Sequence, residues 1–211
     1  EEHAWQTGPF SVEEYLVLDP GPYAPSSFEF RQIILNWVFE KRAAQRVVPP
    51  RDWPIPPITI GEQVYAVEGV FDETDQTYEA VVSRDGQEIY RIPTRFPAGS
   101  DSIHGLWAWG ESWVLEVDGH VIIDGVDQTA ALGADETFDW QIMGGQPFFF
   151  VQRPGAVDVS YGGEIIPLGY EQVIHNMCCE PGAFNVGKNE AMAWFYALKD
   201  GIWRYVEMGL W

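Results

Sequence analysis

The stretch WVLEVDGHVIIDG, residues 113–125, decides the fold class. Two β-favouring runs flank Asp118-Gly119, a dipeptide that tolerates the positive φ angles of a two-residue hairpin turn. Three other segments repeat the plan: AVVSRDGQEIYRI (80–92), VDVSYGGEIIPLG (157–169) and YALKDGIWRYVEM (196–208), with Asp85-Gly86, Gly162-Gly163 and Asp200-Gly201 in the turns. The turns follow one another at 33, 44 and 38 residues. A further strand is predicted before each hairpin, for example in QVYAVEGVF (63–71), IHGLWAW (103–109) and QPFFFVQ (146–152). Short strands grouped at a period near 40 resemble the blades of a propeller, although a sandwich would give nearly the same pattern. The expected fold is therefore mainly β, built of antiparallel hairpins and meanders, propeller-like or sandwich-like, with one N-terminal amphipathic helix.

That helix is predicted over about residues 27–45. Ser26 and Glu29 have the spacing of a capping box, and Phe30, Ile33, Ile34, Trp37 and Val38 recur at helical spacing. Lys41, Arg42 and Arg46 suit the negative end of the helix dipole. Before it, Pro20, Pro22 and Pro25 mark a turn-rich entry; after it, Pro49, Pro50, Pro54, Pro56 and Pro57 impose an extended strap. The predicted organisation is an N-terminal segment, 1–57, and a β domain, 58–211, integrated into one globular unit.

The 211 residues include 46% hydrophobic and 15% aromatic residues, which favour a folded core over disorder. Apolar runs such as PFFFV are far shorter than the ~20 residues of a membrane-spanning helix, so no membrane insertion is expected. The 32 acidic and 12 basic residues leave a net charge of −20, which disfavours nucleic acid, whose phosphates need clustered Lys and Arg. Neutral glycans and proteins remain as partners. High Trp and Tyr with only three lysines (Lys41, Lys188, Lys199) suggests an extracytoplasmic or secreted setting, and the start at Glu1-Glu2-His3 reads as a processed or trimmed chain.

Aromatic residues supply the candidate binding site. Strand alternation places Trp107 and Trp109 on one face, with Trp113 following on the next strand, and pairs Trp194 with Tyr196 and Trp203 with Tyr205. Flat rings with a polar edge stack on neutral sugars, and the competing reading is that they fill the core. Both cysteines, Cys178 and Cys179, lie side by side in IHNMCCEPGA, three residues after His175. Consecutive Cα atoms sit about 3.8 Å apart, against the roughly 4.4–6.8 Å a disulfide prefers, so a bond between them is strained. The pair is read as buried thiols or a vicinal disulfide ahead of a metal or catalytic site, since His3, His104 and His120 are scattered singly.

Asp124, Asp127, Asp135, Glu136 and Asp139 form an acidic stretch that fits no calcium loop and reads as solvated charge, as do Asp72, Glu73, Asp75 and Glu79. No nucleotide-binding, zinc-hydrolase or serine-hydrolase motif occurs, and no cofactor is called for. Glu111 and Glu116, beside the Trp-rich strand, are the least arbitrary pair for glycoside hydrolysis. The expected function is a binding or interaction module of open specificity, with a neutral ligand such as a glycan or another protein as its partner. The rival expectations are a carbohydrate-active hydrolase using two acidic residues and a structural module of an envelope assembly.

Overall fold

The structure is a computed structural model that describes residues 2–16, 54–95, 102–175 and 185–210. The predicted helix at 27–45 and both cysteines lie outside the described residues, as does most of the strap. Its end, residues 54–57, has no regular structure, and Ile55 packs on the core that follows.

Among the described residues four antiparallel sheets carry the fold, with hairpins where the turn signals predict them. The first joins β3 (Ile58–Ile60), β4 (Gln63–Asp72), β5 (Thr77–Arg84) and β6 (Gln87–Thr94) in sequence order. The second joins β7 (Ile103–Trp109), β8 (Ser112–Val117), β9 (His120–Ile123) and β10 (Val126–Asp127). The third joins β11 (Glu136–Met143), β12 (Gln146–Arg153), β13 (Ala156–Tyr161) and β14 (Glu164–Tyr170). The fourth takes strands from both chain ends: β1 (Glu2–Thr7) and β2 (Phe10–Leu16) continue a sheet of β18 (Ile202–Gly209), β17 (Met192–Lys199) and β15 (Gln172–Val173), with β16 (Gly187–Lys188) also on β17. The described architecture has four sheets rather than the two of a simple sandwich, and no closure into a propeller is seen among the described residues.

The four predicted turns form as read. Each closes a hairpin in a different sheet, and both residues of each have positive φ, for example Asp118 at 44° and Gly119 at 82°. The aspartates do more than tolerate the left-handed region. Asp85 donates its backbone N–H to the Val64 carbonyl, and its Oδ1 accepts the Val64 N–H at 2.9 Å. Asp124, in a turn the sequence reading passed over, makes the same reciprocal pair with Trp113. Each thus extends the ladder onto a neighbouring strand, satisfying backbone groups that a strand end leaves open.

The chain forms two compact units: Glu1–Pro50 with Gln141–Phe148 and Pro154–Trp211, and Arg51–Trp140 with Phe149–Arg153. The boundary between them runs through β11 and β12. In the second unit, alternating residues of the first two sheets meet in one apolar core: Tyr65, Val67, Ala80 and Val82 from one side, Ile103, Leu106, Trp113, Leu115, Val117 and Ile122 from the other. The acidic stretch after β9 is structured rather than merely solvated. Asp127 caps a short helix, α1 (Gln128–Leu132), by accepting the Thr129 N–H, and Gly133 ends it in the left-handed conformation.

In the first unit the N-terminal hairpin, which lies in the stretch the sequence reading took for a turn-rich entry, contributes Phe10 and Val12 to the buried interior. Phe10 lies edge-on to Phe148 and Tyr161, at ring-centroid distances of 6.0 and 4.9 Å. Phe10, Val12 and Glu14 alternate inward on β2. A glutamate at the third inward position breaks the apolar period that identifies a strand.

The turn geometry gives a differential expectation. Gly86→Ala and Gly119→Ala each place a side chain in the left-handed region, at about 1–2 kcal/mol. A Cβ at residue 86 meets no atom within 4 Å, whereas one at residue 119 comes within 2.7 Å of Glu136 Cγ. Urea midpoints should fall in both variants and further in Gly119→Ala; equal midpoints would contradict the packing at that turn.

Candidate functional site

The five aromatic residues singled out in sequence separate into three environments. Trp113 belongs to the core of the second unit, 6% exposed, with Tyr90 at 5.7 Å between ring centroids. Register puts it there: Trp113 pairs with Ala108 on the face that carries Leu106 and Leu115.

Trp107 and Trp109 do share the opposite face of β7, as alternation predicts, and both are half-buried. The ring of Trp107 fills the space beside Gly105, where a Cβ would lie 2.2 Å from its six-membered ring. Trp109 meets the buried Trp140 at 6.4 Å with the planes at 65°, so its orientation is braced. Ser112 stands opposite Trp109 in the register, and the exposed Glu111 lies in the turn between them.

Trp194 and Tyr196 lie in the first unit, on the face of the terminal sheet opposite to Glu14. Register aligns Trp194 with Glu207, Tyr196 with Tyr205, Tyr205 with Tyr15, and Glu207 with Glu13. The result is an array in which two carboxylates stand directly across from each other, normally an unfavourable arrangement. Each is provided with a phenol: Tyr15 Oη donates to Glu13 at 2.6 Å and Tyr205 Oη to Glu207 at 3.0 Å. Trp194 is half-buried and lies over Gly187, where a Cβ would fall 2.0 Å from the indole. Tyr196, Trp203, Tyr205 and Glu207 are buried. Burial, followed by the proximity of Tyr205, pushes the Tyr196 phenol above its ordinary range.

Two further carboxylates were missed or misjudged in sequence. Glu14, 2% exposed, accepts the Trp5 indole N–H at 3.0 Å and the Tyr170 hydroxyl at 2.8 Å on Oε1. Lys199 Nζ stands 3.5 Å from the same oxygen, and Arg204 Nη1 3.5 Å from Oε2. The lysine also sits over the rings of Trp5 and Tyr170, 5.1 and 5.5 Å from their centroids. Burial first and the Glu14 charge second push the Tyr170 phenol upward.

Glu116, the sequence candidate for a hydrolytic carboxylate, is also 2% exposed. Its two oxygens accept the backbone N–H groups of Asp139 and Trp140 at 3.0 and 2.9 Å, where Asp139 has a positive φ of 58°. His104 Nδ1 lies 3.5 Å from Glu116 Oε1. This carboxylate is committed to holding an irregular point of β11, and Glu111 is exposed in a turn; the two do not form a facing pair.

The histidines are used locally. His120 Nδ1 is 3.0 Å from Asp127 Oδ2, and His175 Nδ1 is 2.8 Å from the Val173 carbonyl. Among the described residues no three His, Cys, Asp or Glu side chains come together as a metal site. Asp72 is held by the N–H groups of Thr74 and Asp75, which lower its carboxyl below the ordinary range. Comparison with known protein families finds no match, and no curated protein is similar to the chain.

Removing Glu14 leaves two cations and two polar donors without their common acceptor. Glu14→Ala should cost about 3–5 kcal/mol, as for breaking a buried ion pair from one side, and Glu14→Gln less. Denaturant titration measures both, and an unchanged midpoint in Glu14→Ala would remove the carboxylate from any central role.

Alkali gives a second test. Tyr170 and Tyr196 have folded-state pKa values raised above the unfolded value, so their contribution is complete below about pH 10, the ordinary phenol pKa, and is lost as the pH rises above it. Stability should therefore decline above that point, because the unfolded chain releases phenolic protons that the folded chain keeps. The decline should be shallower in Tyr196→Phe; an identical slope in the variant would contradict the assignment.

Proposed function

We propose that this protein is a binding module whose ligand is a neutral glycan, stacked on Trp107 and Trp109. The observation that carries the reading is the shared face of β7, where Gly105, Trp107 and Trp109 follow one another with both rings half-buried and Trp109 braced by Trp140. Sugar rings present C–H faces that pack on such surfaces without ion pairing, and an orientation fixed in advance lowers the ordering cost of binding. Ser112 and Glu111 supply hydroxyl and carboxylate groups at the edge of the rings for sugar hydroxyls. The extracytoplasmic setting belongs to the same proposal and is supported by composition alone: net charge −20, three lysines and 10 tryptophans.

Affinity electrophoresis against a panel of neutral polysaccharides tests it. Retardation should be lost in Trp109→Ala, reduced in Gly105→Ala by displacement of Trp107, and little changed by ionic strength. Trp113→Ala should instead lower stability, by about 3–5 kcal/mol for a buried aromatic ring. No retardation of the native protein by any member of the panel overturns the reading.

One observation favours a hydrolytic alternative: Glu13 and Glu207 stand opposite each other in register, with Tyr15 and Tyr205 donating to them and Trp194 alongside. Retaining glycosidases place two carboxyl groups about 5–5.5 Å apart, a separation that directly opposed strand residues can supply. Hydrolysis of chromogenic glycosides that disappears in both Glu13→Gln and Glu207→Gln, with stability preserved, would favour this reading over simple binding.

A further inference from the structure

The N-terminal hairpin is held in the first unit as a peptide ligand is held at a sheet edge. Its own strands pair from Glu2↔Tyr15 to Thr7↔Phe10, with Gly8 in the turn at φ 53°. Among the described residues, one ladder joins it to the rest of the sheet, from Leu16↔Arg204 to Ser11↔Gly209, between β2 and β18. Side chains then fix its position at three points. Phe10 enters between Phe148 and Tyr161; Glu14 meets Tyr170, Lys199 and Arg204; and Thr7 Oγ1 donates to the Pro167 carbonyl at 2.9 Å. Backbone pairing for affinity with side-chain keys for register is the chemistry of strand addition.

Every one of these partners is remote in sequence: Tyr170 lies 156 residues from Glu14, and Pro167 160 residues from Thr7. Residues 17–57, 41 in number, separate the hairpin from β3 and have a fully extended reach of at most ~140 Å. Covalent length therefore does not confine the hairpin to the slot of its own chain. A second copy carries the same ring, carboxylate and hydroxyl at the same spacing, so it satisfies every contact at the slot without new chemistry.

We propose that the edge of β18 is a strand-addition site and that its alternative occupant is hairpin β1–β2 of a second copy, giving a strand-exchanged dimer in which each Glu14 closes the other chain's sheet. Exchange requires the resident hairpin to leave, so it is slow under native conditions and promoted by partial unfolding. Self-repulsion between chains of net charge −20 opposes encounter, so salt raises the yield along with protein concentration.

Glu13 and Glu207 face each other across β2 and β18 and report the exchange. The full chain carrying Glu13→Cys and Glu207→Cys, with Cys178→Ser and Cys179→Ser, is passed through mild urea at micromolar and at millimolar concentration, returned to buffer and oxidised. A bond within one chain marks the closed monomer; a bond between chains marks exchange. Denaturing gels without reductant should show monomer at the low concentration and a growing fraction of covalent dimer at the high one, larger in salt. Monomer alone at every concentration and salt overturns the proposal.

If this variant loses its native near-ultraviolet circular dichroism, normal and heavy-isotope forms of the unsubstituted chain are mixed and treated in the same way. Mixed-mass dimers that survive dilution, by native mass spectrometry, are then the expected result, and their absence overturns it. Dimers that form equally in Phe10→Ala and Glu14→Gln also overturn it, since association would then bypass the slot.

Discussion

Glu14 gathers five strands onto one carboxylate. Its own strand is β2; Trp5 comes from β1, Tyr170 from the end of β14, Lys199 from β17 and Arg204 from β18. A buried carboxylate is costly unless its lone pairs and charge are met, and this one has two neutral donors and two cations. Any one partner is a modest gain. Removing the acceptor leaves all of them with unmet demands at once, so the terminal sheet depends on Glu14 as it does on a buried ring.

The second unit uses a carboxylate in a related way but at smaller scale. Glu116 holds two successive backbone N–H groups at the point where Asp139 turns into positive φ. Asp85 and Asp124 tie their turns to neighbouring strands, and Asp127 caps α1. An acidic chain thus spends part of its excess charge as backbone acceptors at strand ends and irregular points.

The aromatics divide by the same logic of register. Trp113 and Trp107 are six residues apart in sequence and belong to paired strands, yet Trp113 lies in the apolar core and Trp107 is half-buried on the opposite face, across from the buried Val114. Trp107 and Trp194 each lie against a glycine, Gly105 and Gly187, so a small residue gives a large ring a place close to the backbone. Ring position is therefore set by packing.

The hairpin plan was legible in the sequence because its signals are local. Asp-Gly and Gly-Gly turns need positive φ wherever the chain goes, and the runs beside them carry β propensity within a few residues. All four predicted turns hold those angles, and the face shared by Trp107 and Trp109 follows from the period of two. Tertiary structure alone decided that residues 2–16 are strands of the last sheet, that Trp113 is core, and that Glu14 and Glu116 point inward. A glutamate in an alternating run reads as solvent-facing because burying it is unfavourable; what reverses the sign for Glu14 is a set of donors up to 190 residues away in the chain, and no local pattern encodes their arrival.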